Sequence, residues 1–159
     1  MRVLAVDPGA ATGMALYERW TTDPLQEHVE QWVEEDPIAA IDRVVKEIDR
    51  VHEEAPQPLD AIVCESFVIS GPRAKEANQA IEIIGALRYL ATKCEIPFIT
   101  QSPADSMNFS TNAKLKLLGW YKPASTDHAR SATRHLLLYL TRAGAVDPER
   151  LLQSDAEVG

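Results

Sequence analysis

Long apolar runs are missing from this chain of 159 residues, and so is any surplus of positive charge. No stretch approaches the roughly 20 apolar residues a membrane span requires, so no membrane partner is expected. The first residues lack the basic-then-apolar layout of a secretory leader, because Asp7 interrupts their one apolar run. Cysteine is scarce: Cys64 and Cys94 are the two present, and they form no CxxC pair. Their apolar strand and helix contexts predict reduced, buried thiols in a cytoplasmic protein. With 45% hydrophobic and 25% charged residues, the chain has the composition and size of one globular domain that needs no staples.

The formal charge of −8 is unevenly spread. From Ser70 to Ala143 there are ten Lys/Arg against five Asp/Glu, and the flanking segments carry six against nineteen. One basic face on an acidic body would permit contact with phosphates; a chance division of solvated charges gives the same count.

Arg2 to Asp7 reads as a short buried strand stopped by Pro8-Gly9, and Gly13 opens a hairpin partner at Met14–Tyr17. A third strand is expected over Gln26–Glu34. Pro37 then starts a helix with Ile38, Ile41, Val44, Val45, Ile48 and Val51 at helical spacing. Leu59–Glu65 is a fourth strand, Ala74–Lys93 a long helix and Ile96–Thr100 a fifth strand. A helix start at Ser102-Pro103, a helix at Ala113–Leu118 and a last helix from Asp127 to Arg142 follow. Three strands with short links predict an antiparallel meander, and the later alternation predicts parallel additions: a mixed five-stranded α/β sheet flanked by helices. Residues 1–143 form the expected domain, with a polar tail over 144–159.

Two of these strands end in an acid, Val6-Asp7 and Cys64-Glu65, where a charge is costly unless something pairs with it. If the strands are neighbours, the carboxylates raise each other's pKa and a divalent cation is the natural partner. Oxygen ligands suit Mg²⁺, with Mn²⁺ as a substitute, better than zinc. For either acid alone, a turn cap or an arginine pair explains as much.

Asp7-Pro8-Gly9-Ala10-Ala11-Thr12-Gly13, followed by a hydrophobic strand, resembles the first motif of RuvC-type Holliday-junction resolvases, which have an RNase H-like fold. Ile62-Val63-Cys64-Glu65-Ser66-Phe67 is similar to the second motif. The helix with Gln79, Gly85 and Ala86 is similar to the one that follows it. Asp127 to His135 resembles the final acidic helix, particularly that of phage-encoded members. The likeness runs from Arg2 to Arg142.

It implies hydrolysis of DNA phosphodiesters at four-way or other branched junctions, by two Mg²⁺ ions per site with Asp7 and Glu65 among the ligands. It also implies that the glycines of the first motif let the backbone turn tightly into the second strand. The family places two further ligands three residues apart on the last helix; here His128 takes the first position and Ser131 the second. Serine cannot replace a carboxylate, so Asp127 is the candidate substitute, with an N-terminal cap as its other reading. The departure leaves open a weakened or inactive branched-DNA binding protein. His135 shares the face of His128 and is expected at the floor of the site, whereas His28 and His52 are expected at the surface.

Arg73, Lys75, Lys114, Lys116, Arg130 and Arg134 are the candidate DNA contacts, with Lys122 as a further one. Phe67 and Phe109 are candidates to wedge bases, core packing being the other reading for Phe67. Symmetric junction cutting implies a homodimer, for which the apolar helix Ala74–Lys93 is a candidate interface. A similar Asp-x-Gly-x-x-Thr-Gly hairpin opens sugar kinases and actin-like ATPases, but 159 residues leave no room for their two domains, so no nucleotide cofactor is expected.

Overall fold

Alternation of side chains along the central strand decides what each face of the sheet can hold. The computed structural model describes residues 1–20, 27–50, 57–66 and 74–156. Within them, β1 (Arg2–Asp7), β2 (Thr12–Arg19), β3 (Glu27–Glu34), β4 (Ala61–Glu65) and β5 (Phe98–Gln101) form one sheet in the order β3-β2-β1-β4-β5. The pairs β1/β2 and β2/β3 are antiparallel, while β1/β4 and β4/β5 are parallel, as the meander and crossover pattern predicts.

Odd-numbered residues Val3, Ala5, Ala61 and Val63 pack on one face against α5 (Asp127–Arg142), through Leu136, Leu137 and Leu140. Even-numbered Leu4, Val6, Ile62 and Cys64 pack on the other face against α1 (Pro37–Asp49) and α2 (Ala74–Lys93), through Ala40, Val44, Ile83 and Leu87. Each buried leucine of α5 contributes about 1.5–3 kcal/mol, so this helix is held firmly across the sheet. Asp36 caps α1 by accepting from the backbone N–H of Ile38 and Ala39. Ile38, expected on the core stripe, is instead 65% exposed, and Glu47 is buried.

Two short helices, α3 (Pro103–Phe109) and α4 (Asn112–Leu117), lead back from β5 to α5. The expected polar tail contains a helix, α6 (Pro148–Ala156). Val146 and Leu151 belong to the α5-side core, although few apolar residues mark the segment. The overlooked signal is Asp147-Pro148: the Asp147 carboxylate accepts from Glu149 N–H, and proline suits a first helical turn. Cys64 is buried as expected, but Cys94 is exposed, in the turn that ends α2. Among the described residues no helix is long and apolar enough to cross a membrane.

Candidate active site

Parallel pairing of β1 with β4 runs to Val6 opposite Cys64, so the next residues on each strand, Asp7 and Glu65, end side by side. Both are odd-numbered and share the α5 face. Glu65 in turn pairs with Gln101 and Asp7 with Gly13, which sets Gly13, Asp7, Glu65 and Gln101 in one row across four strands. Helix α5 crosses this row with His128, Ser131 and His135, residues three, four and seven apart on a helical face.

Gly13 is what lets the helix come so close. A Cβ there would lie 2.1 Å from both the carbonyl carbon and the oxygen of His128, and 2.6 Å from Ala129 N. The glycine's role is therefore a close approach of strand and helix. A left-handed turn is not involved, since the positive-φ glycines among the described residues are Gly119 and Gly144. Thr126 caps α5 by accepting from Ala129 N–H, which fixes the phase of the helix over the strand ends.

His128 Nδ1 lies 3.1 Å from Asp7 Oδ2. Asp7 is 8% exposed, and its carboxyl is pushed up to about 6, first by burial and then by the charge of Glu65; His128 and His135 act in the opposite direction. Glu65 Oε2 accepts from Ser131 Oγ at 3.1 Å and from His135 Nε2 at 2.7 Å. His135 is fully buried, with Nδ1 at 2.9 Å from Gln101 Oε1 and Nε2 at 3.2 Å from Ser106 Oγ of α3. Among the described residues, no Lys or Arg pairs with either carboxylate.

Asp127 does not join this cluster. Its side chain is 97% exposed and pairs with Arg130 at 2.7 Å. Nor is it the cap, which is Thr126. The reason is helical phase: with Ala129 and Ala132 packed inward, the first residue of the helix points to solvent. The position seven residues after His128 proves closer to Glu65 than the sequence suggested, and Gln101 was missed. Its signal was the one that singled out the acids, a polar residue closing a buried strand.

Among the described residues, no group of three or more His, Cys, Asp or Glu side chains is arranged to hold a metal ion. Mg²⁺, unlike zinc, keeps waters and often takes only one or two carboxylates together with substrate phosphate. Two adjacent carboxylates, one of them destabilised in its charged form by the other, are the donor chemistry such an ion relieves.

The basic candidates fall into three groups. Arg73 and Phe67 lie outside the described residues, and Lys75 lies in α2 with its side chain undescribed. Lys116 and Arg130 each stack on Tyr121, 5.1 Å from its ring centre, beside the start of α5. Lys114 lies over Phe109 and donates to its carbonyl, Phe109 packs partly into the core, and Arg134 donates to Asn112 Oδ1. Tyr121 was not foreseen; a ring that meets one cation from α4 and one from α5 has no sequence spacing to reveal it. Lys122 is exposed, as is His28, and His52 lies outside the described residues.

No family model matches the sequence, and no curated protein sequence matches it either. Solved structures do match its fold. Thermus thermophilus RuvC in complex with a Holliday junction substrate superposes with a TM-score of 0.64 at 16% identity, covering 91% of this chain and 96% of that one. The Fowlpox virus resolvase in complex with Holliday junction DNA gives 0.52 at 13% identity, covering 88% and 99%. The yeast mitochondrial Holliday junction resolvase Ydc2 gives 0.55 at 13% identity, covering 96% and 79%. The chain thus has the RNase H-like fold of RuvC and related resolvases.

Proposed function

We propose that the chain is a Mg²⁺-dependent endonuclease that hydrolyses phosphodiesters in four-way or other branched DNA. The observation that carries this reading is the pair Asp7–Glu65, set side by side at the strand ends with no described Lys or Arg to neutralise it. Support comes from the shared fold, since two of the similar structures are complexes with Holliday junction DNA.

Bound there, Mg²⁺ would supply positive charge at the phosphate and would make water a stronger acid. The remaining work falls to this chain's side chains. Asp7 and Glu65 would hold the ion. Ser131 and His135 fix Glu65 by donating to Oε2, and Gln101 and Ser106 fix His135. His128 orients Asp7 from the half-exposed side of the site. Lys116 and Arg130, held on the Tyr121 ring beside the start of α5, would meet DNA phosphates, with Arg73, Lys75, Lys114 and Arg134 as further contacts.

Two cuts in a symmetric junction need two sites, so we propose a homodimer. Helix α2 has a face for it: Ile81 and Tyr89 are exposed at 44% and 63%, and Gly85 between them has open space beyond it.

The test is cleavage of a synthetic four-way junction in Mg²⁺. The native chain and Asp127→Asn should cleave, whereas Asp7→Asn and Glu65→Gln should fall to background. Ser131, a donor where an acid was expected, favours a second reading: a protein that binds junctions and cuts them poorly. Junction binding without cleavage in the native chain, with cleavage gained in Ser131→Asp, would establish that reading instead.

A further inference from the structure

Helix α5 brings hydrogen-bond donors to the site where carboxylates would be needed to hold much positive charge. Among the described residues, Asp7 and Glu65 are the acids in the cluster, since Asp127 faces solvent and pairs with Arg130. One oxygen of each is already engaged: Asp7 Oδ2 by His128, and Glu65 Oε2 by both Ser131 and His135. Asp7 Oδ1 and Glu65 Oε1 are the oxygens no described side chain bonds.

Two carboxylates balance one divalent ion. A second ion would add repulsion roughly four times that between unit charges at the same separation, in a site where Asp7 and Glu65 side chains are only 12% and 20% exposed. We infer that the DNA-free chain holds a single divalent ion between Asp7 and Glu65, and that Ser131 is the residue that keeps a second ion out. This rests on the metal-dependent reading above. It assigns Ser131 and His135 as positioning residues: they hold Glu65 by hydrogen bonds where a further carboxylate would hold an ion.

Ion counting separates this inference from the reading it rests on. The probe is Mn²⁺, titrated into the full chain without DNA, with free Mn²⁺ followed by electron paramagnetic resonance and the heat by calorimetry. One Mn²⁺ per chain is expected, lost in Asp7→Asn and rising to two in Ser131→Asp. Thermal melting of each variant shows that it is folded. Two ions in the native chain, both lost in Asp7→Asn, would overturn the inference and leave the metal-dependent reading standing. A count that stays at one in a folded Ser131→Asp would overturn the role given to Ser131. No Mn²⁺ that depends on Asp7 would overturn the metal site itself, and the inference with it.

Discussion

The two ends of strand β1 treat buried charge in opposite ways. At its start, Arg2 is fully buried and satisfied on every side: Nε donates to Glu18 at 2.9 Å, Nη2 to Glu47 at 3.0 Å, and Nη1 to the carbonyls of Glu47 and Gln57. Arg43 and Arg50 add further charge against Glu47. At its other end, Asp7 is nearly as buried but has a second acid beside it, with imidazoles and a hydroxyl around the pair. One sequence thus neutralises the buried carboxylates at the start of β1 with arginine and leaves Asp7 and Glu65, at its other end, with no described arginine. The first end is a structural clamp. The second is a pair of adjacent acids with no described arginine or lysine against them.

Removing the clamp should have the largest effect. Arg2→Met leaves Glu18 without its ion partner and Glu47 with the more exposed Arg43 and Arg50, and should destabilise the fold by about 3–5 kcal/mol. Denaturant unfolding would measure it, while Mn²⁺ affinity of the folded fraction should stay unchanged. A weakened metal site in that variant would mean the two ends are coupled and the contrast is false.

Neutralising the other end should act with the opposite sign. Asp7 titrates near 6 in the folded chain, above its ordinary 3.8, so its contribution to stability is present at low pH and is lost as pH rises through about 6. In chelator, the native chain should lose about 2 kcal/mol relative to Asp7→Asn between pH 4 and 7. Parallel stability curves for the two proteins over that range would show that Asp7 is not under strain. Mg²⁺ should narrow the gap at pH 7 by stabilising the native chain alone.

The smallest change tests how the helix reaches the strand. Gly13→Ala places a methyl against backbone atoms of His128 and Ala129, which cannot move as a side-chain tip can. A loss of about 1–3 kcal/mol is expected, together with weaker Mn²⁺ binding as His128 shifts from Asp7. A variant that loses stability yet binds Mn²⁺ as before would separate the packing role of Gly13 from the site.

Much of the fold was legible because β-strand and helix periods differ. The apolar runs before Asp7 and Glu65 and the three-and-four spacing of α1, α2 and α5 each specify one element. The segment after Gly144 was not legible, because α6 is anchored by Leu151 within a mostly polar stretch. In the site, Asp7, Glu65 and His128 stand where their motifs suggested. Asp127 does not, because one residue of helical phase turns a side chain by about 100°. His135 bonds Glu65 and Gln101 bonds His135 through packing of α5 on the strand ends, which local spacing does not encode.

By itself, then, the sequence determined which strands end in acids, since that follows from local periodicity, while the helix expected to face them was implied by the resemblance of Asp127 to His135 to the final helix of the resolvases. Only the tertiary structure decided that these acids meet an unneutralised partner instead of an arginine. Parallel register set Asp7 beside Glu65, and the missing side chain of Gly13 let α5 close over them with Ser131 and His135, leaving Asp127 in water.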